Sequence, residues 1–100
     1  MANKVLETEA FSHLFGTIES REKEWIKKII KQLESNIELG KPLQFKWFRE
    51  KKFENKRLYY LIYENSNTVL LVAFGKKKQQ QAIIDNVLKN RERYKRLMEG

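Results

Sequence analysis

The sequence predicts an α+β fold in which two N-terminal helices pack on a small antiparallel sheet and a long helix closes the chain. Three observations point there. Apolar residues recur at helical spacing through residues 20–37, the period shifts toward two after Pro42, and helical spacing returns from about Lys78.

Val5 and Leu6 form a short apolar pair suited to an edge strand. Thr8 stands where an N-cap belongs, ahead of Phe11, Leu14 and Phe15, and Gly16 ends this short helix. A second helix opens near Ser20. Trp25, Ile26, Ile29, Ile30, Leu33 and Ile37 make its apolar face, and Gly40-Lys41-Pro42 stops it. Glu22 and Glu24 precede Lys27, Lys28 and Lys31, an order that suits the helix dipole and supplies pairs four residues apart.

After Pro42, Leu43, Phe45 and Trp47 alternate with Gln44 and Lys46, the pattern of a strand entering a hairpin that turns at Glu54-Asn55. Residues 58–63 and 69–74 are apolar runs rich in aromatic and branched side chains. Asn65-Ser66-Asn67 separates them, so they read as a second, tighter hairpin. From Lys78 onward, Ile83, Ile84, Val87, Leu88 and Tyr94 define the final helix, whose far end is strongly basic. With no repeat and no linker-like segment, residues 1–100 read as a single domain.

A hydrophobic fraction of 41% beside 34% charged residues fits a soluble globular chain with one core. The absence of cysteine excludes a disulfide framework and a thiolate metal site, and His13 alone makes no histidine cluster; no cofactor or metal is expected. The N-terminal residues lack an unbroken apolar stretch, and nothing approaches the roughly 18 apolar residues of a membrane span. A cytoplasmic protein with no membrane partner is therefore expected.

The net charge of +8 is unevenly placed, because residues 1–40 carry −1 and residues 41–100 carry +9. Such a field favours a polyanionic partner. Residues 41–60 concentrate it, with seven Lys or Arg against two Glu and six aromatic residues threaded between them. Cations neutralise phosphates and aromatic rings stack on bases, the combination that holds single-stranded nucleic acid.

Four stretches in order carry a family resemblance: Leu39-Gly40-Lys41-Pro42-Leu43, Phe48-Arg49-Glu50, Lys56-Arg57-Leu58-Tyr59-Tyr60, and Ala73-Phe74-Gly75-Lys76-Lys77 with Gln79. Together they resemble the RelE/ParE superfamily of toxins from toxin–antitoxin pairs, and the ending Lys76-Lys77-x-Gln79 is closer to its HigB-like and archaeal RelE-like branches. The resemblance implies a RelE-like fold with a basic concavity. It also implies a ribosome-dependent mRNA endonuclease, in which the RNA's own 2′-hydroxyl attacks the adjacent phosphate without a metal. The implied partners are the ribosome with its mRNA and a cognate antitoxin with an acidic, partly disordered segment.

Carried over by position, Arg57 is the expected phosphate clamp, since a guanidinium fork bridges two phosphate oxygens and stays charged. A salt bridge to Glu50 or Glu54 is its competing structural role. Lys51 and Lys52 stand where relatives place a base and a charge stabiliser, Lys77 where they place a basic catalytic residue, and Tyr94 where a C-terminal tyrosine stacks or moves a proton. Tyr94 also falls on the apolar stripe of the last helix, which favours core packing. Lys46, Arg49, Lys76, Lys78, Lys89, Arg93 and Arg96 are the expected RNA contacts. Lys89, Arg93 and Arg96 fall at i, i+4 and i+7, one face of an unbroken helix. No histidine stands near the C-terminus, so the family's His-Tyr pair is missing. Two other readings fit the same residues: a ParE-like DNA gyrase inhibitor, and a nucleic-acid-binding relative that cleaves nothing.

Overall fold

Residues 57–62 are buried without interruption, which requires a strand covered on both faces. In the computed structural model, which describes residues 2–99, that strand is the centre of a five-stranded sheet. The chain runs β1 (Lys4–Glu7), α1 (Glu9–Phe15), α2 (Ser20–Ser35), β2 (Lys41–Pro42), β3 (Phe48–Phe53), β4 (Lys56–Tyr63), β5 (Thr68–Lys76), α3 (Gln80–Lys89) and α4 (Arg91–Glu99). Strand order is β1-β5-β4-β3-β2.

Alternation along β4 divides the core in two. Leu58, Tyr60 and Ile62 join Phe11, Ile26, Ile29 and Leu33 beneath α1 and α2. Tyr59 and Leu61 join Phe48, Leu70, Ile84 and Val87 beneath α3. Each fully buried side chain of this kind stabilises the fold by about 1.5–3 kcal/mol. The sequence reading holds for the α+β class, the two N-terminal helices and the antiparallel β3-β4-β5 meander.

Four local expectations change. The sheet is mixed, because β1 pairs with β5 in parallel, Val5 opposite Val69 and Leu6 opposite Leu70. The second helix ends at Ser35, leaving Ile37 outside it. Asn36 is responsible: its Oδ1 accepts the Glu38 N–H at 3.1 Å, a local bond that competes with helix continuation. Leu43, Phe45 and Trp47 belong to no strand. The chain doubles back there so that Lys41 faces Glu50 and Pro42 faces Arg49, which makes the alternating stretch the tip of a hairpin.

The single long C-terminal helix is two helices, broken at Asn90. Its side-chain amide donates to the Asn86 carbonyl at 2.8 Å, and its backbone N–H is shared between the Asn86 and Val87 carbonyls. Lys89 consequently sits on α3 while Arg93 and Arg96 sit on α4, so the three cations do not share one unbroken helical face.

Caps and one glycine fix the helices' approach to the sheet. Thr8 Oγ1 accepts the Phe11 N–H at 3.0 Å, as its N-cap position predicts. Gly40 has φ +89°, and a Cβ there would overlap the Tyr60 hydroxyl, which donates to the Leu39 carbonyl at 2.5 Å. The helix-α2 face is also electrostatically closed. Glu22, 4% exposed, takes an ion pair from Lys56 Nζ at 2.5 Å and accepts the Glu19 N–H at 3.1 Å.

Burial opposes the Glu22 charge, but Lys56 and the Glu19 N–H outweigh it and hold its pKa below the ordinary 4.5. A carboxylate depressed in this way stabilises the fold fully above that value, and the contribution disappears as pH falls through the lower folded value. Glu22→Gln should therefore cost about 2 kcal/mol at neutral pH. In strong acid the variant and the parent should converge. Urea unfolding at both pH values checks this, and an equal deficit at both would contradict it.

Candidate phosphate-binding pocket

The two-residue hairpin between β3 and β4 sets the geometry of the basic residues. Its register places Lys52 directly opposite Arg57 and Glu50 directly opposite Tyr59. Glu50 and Lys52 are two apart on β3 and Arg57 and Tyr59 two apart on β4, so all four share the sheet face that carries α3. An open pocket of about 790 Å³ lies here, lined by Lys41, Glu50, Lys51, Lys52, Arg57, Lys77 and Gln80 among others. Five cations and one carboxylate line it.

That carboxylate is held firmly. Glu50 Oε2 accepts the Gln80 side-chain amide at 2.6 Å and lies 3.9 Å from Arg57 Nε. The side chains of Glu50 and Arg57 are 14% and 10% exposed. The 3.9 Å separation is electrostatic contact without a hydrogen bond. Arg57 Nη1 donates to the Lys56 carbonyl at 3.2 Å, and the rest of its fork has no protein acceptor among the described residues. Gly75, opposite Arg57, permits the close approach of α3. A Cβ there would come within 2.9 Å of Gln79 Oε1 and 3.3 Å of Ile83 Cδ1, crowding both side chains.

The Tyr59 hydroxyl is buried without a hydrogen-bond partner among the described residues. Burial raises its pKa first; the nearby Gln80 amide pulls it down, Glu50 pushes it up and Arg57 pulls it down again. Burial also raises Tyr60 and Tyr94, and pushes Tyr63 to about 12. None of these phenols ionises near neutral pH.

The structure thus gathers Arg57, Lys52 and Lys77 at the pocket, with Lys51 on its border in a strand position opposite Leu58 of the α2-side core. It does not gather the rest. Arg49 is 6% exposed; its Nε donates to the Lys46 carbonyl and its Nη1 to the Glu38 and Gly40 carbonyls at 3.0–3.2 Å, so it braces the chain on both sides of β2 and is largely withdrawn from the surface. Tyr94 packs on the α3-side core and, with Arg93, lines a separate depression of about 890 Å³ beside β1. Lys46 lines a third, of about 620 Å³. Lys76, Lys78, Lys89 and Arg96 are exposed and border none of these.

Glu50, Gln80 and Lys41 are the pocket residues that sequence reasoning passed over as functional. Period-two alternation from Glu50 to Lys52 was the available signal for the first; Gln80 needed the tertiary approach of α3. Among the described residues, no group of three or more His, Cys, Asp or Glu could hold a metal ion, and no helix is long and apolar enough to cross a membrane.

No family model and no curated protein sequence matches the chain. Solved structures do. The chain superposes on a double arginine-to-alanine mutant of the Escherichia coli toxin RelE in the free state, with a TM-score of 0.77 and 17% identity, over 90% of this chain and 98% of that one. The same RelE mutant in complex with a peptide of the antitoxin RelB gives 0.70 and 18%, over 87% and 96%. The toxin–antitoxin complex RelBE2 from Mycobacterium tuberculosis gives 0.64 and 17%, over 77% and 93%. The fold is that of the RelE toxins, as the four sequence stretches imply.

Two cations directly opposite on one sheet face repel, a cost of about 0.2–1 kcal/mol. Lys52→Ala should relieve it and raise stability by about 0.5 kcal/mol while weakening binding of a phosphate polyanion. Thermal melting beside a salt-dependent titration with polyphosphate reads both. A variant that loses stability would show that Lys52 is held by packing.

Proposed function

We propose that the protein is the toxin of a type II toxin–antitoxin pair and acts as a ribosome-dependent mRNA endonuclease. The observation that carries this reading is the partly buried carboxylate of Glu50, beside Arg57, in a pocket lined by five cations on a RelE fold. Cleavage through the 2′-hydroxyl needs a proton acceptor beside a cationic phosphate site, and this pocket has one of each.

In the proposed reaction Glu50 accepts the 2′-hydroxyl proton as that oxygen bonds to the adjacent phosphorus. Arg57 bridges the phosphate oxygens, and Lys52 adds charge where the transition state becomes most negative. The bond to the 5′-oxygen breaks and Lys77 returns a proton to it, leaving a 2′,3′-cyclic phosphate and a 5′-hydroxyl. Gln80 acts as a positioning residue through its 2.6 Å bond to Glu50. This assigns the base to a carboxylate; Lys51 is left to bordering charge.

A cognate antitoxin with an acidic segment is the proposed protein partner, supported by charge complementarity and by the RelE–RelB peptide complex among the structural neighbours.

Expression in a bacterial host, with primer extension on a translated reporter mRNA, tests the assignment. Cuts should appear only during translation. Glu50→Gln, nearly isosteric, should reduce them about 100-fold or more, and Arg57→Ala by a similar factor. Normal cutting by both variants would defeat the site assignment. Growth arrest with intact mRNA and damaged DNA would replace the nuclease with a gyrase inhibitor.

A further inference from the structure

Among the described residues three large hydrophobic side chains are exposed: Leu6, Leu97 and Phe45. Single exposed apolar residues are ordinary, but Phe45 differs in what lies beneath it. Its ring, 40% exposed, stacks on Trp47 with centroids 4.9 Å apart and planes 13° apart. Trp47 lies in turn 6.0 Å from Phe48 at 14°, and Phe48 is fully buried. Three nearly parallel rings thus run from the core to solvent.

The array is held in place and is charged. The Phe48 N–H donates to the Phe45 carbonyl at 3.1 Å, and the Leu43 N–H to the Phe48 carbonyl at 2.9 Å, which closes the loop. The Arg91 guanidinium lies 4.6 Å from the Trp47 ring centre. Lys46 and Lys95 line the adjoining depression, with Glu64 as its acidic residue. Gln44, one peptide bond before Phe45, lines the phosphate-binding pocket.

We infer that Phe45, backed by Trp47, is a stacking platform for an unpaired RNA base next to the nucleotide whose phosphate sits at Arg57. The inference rests on the proposed RNA function and adds a base-binding subsite to it. An aromatic face takes any base, because every base presents a π-face, and the flanking cations meet the backbone. Gln44 and Phe45 are consecutive, so the pocket and the ring adjoin along the loop. The phosphate is gripped in the pocket beside Gln44, and the neighbouring base meets the Phe45 ring. The platform contributes affinity and register without touching the reacting atoms.

The experiment uses Trp25→Phe protein, so that Trp47 is the sole tryptophan, and a short 2′-O-methyl oligoadenylate that binds without being cut. Titration should quench Trp47 fluorescence. Phe45→Ala should weaken binding about ten- to a hundred-fold, Phe45→Leu should also weaken it, and Phe45→Tyr should restore it. An abasic oligomer of the same length should bind parent and Phe45→Ala equally. Equal affinity of the oligoadenylate for parent and Phe45→Ala would overturn the platform, as would equal quenching by the abasic oligomer. Failure of the nuclease reading looks different: base-dependent quenching would persist while translated mRNA stayed intact. An effect of Phe45→Ala confined to a protein partner, with RNA affinity unchanged, would reassign the rings to that partner and overturn the inference.

Discussion

The burial of β4 on both faces is the constraint from which the rest of the molecule follows. A strand with one wet face tolerates alternation; this one supplies Leu58, Tyr60 and Ile62 to one core and Tyr59 and Leu61 to the other. Its register is therefore strongly fixed, since a one-residue slip would exchange every side chain between cores of different shape. Arg57 stands at the first turn of that strand, 8% exposed, and inherits its precision. A guanidinium mounted on such a strand is held in one orientation more firmly than a loop would hold it.

Charge is sorted between the two faces of the sheet by the same alternation. On the α2 side two ion pairs tie the helix to the hairpin: Glu22 takes Lys56, and Arg21 pairs with Glu54 at the hairpin tip. Glu54 holds a left-handed backbone there, with φ 54°, a conformation that costs a non-glycine residue free energy. On the α3 side, Lys41, Lys52 and Lys77 have no ion pair among the described residues, and Glu50 is engaged by Gln80 and Arg57. The basic excess of residues 41–100 is thus left largely unanswered on the α3 side.

How much of this the sequence discloses depends on whether the cause is local. Helical spacing from Trp25 to Leu33, the Thr8 cap, the turn at Glu54-Asn55 and the two apolar runs are local signals, and the structure follows them. Arg57, Lys52 and Lys77, singled out by position in the chain, line one pocket. The misses have nonlocal or competing causes. Asn36 and Asn90 each end a helix through a side-chain bond that a periodicity argument does not weigh. The parallel pairing of Val5 with Val69 depends on a partner 64 positions away in the chain. The alternation of Leu43, Phe45 and Trp47 imitates a strand, yet its rings serve a stack at a hairpin tip. Arg49 looks like a surface cation in a basic run, whereas it satisfies three loop carbonyls.

Glu50 shows why the functional reading needed tertiary structure. In sequence it is one acid among seven cations in residues 41–60, and the simplest inference is a salt bridge. In the fold it has a partner on each side, Arg57 across the hairpin and Gln80 from α3, and only the close passage of α3 over Gly75 brings the second. A hydrogen bond from the Gln80 amide at 2.6 Å and the Arg57 Nε 3.9 Å away fix where the carboxylate sits in the pocket. Beside it, Lys52 and Arg57 are held opposite one another against their mutual repulsion. An anion between two such cations would turn their repulsion into attraction, which is the physical basis of the proposed phosphate site.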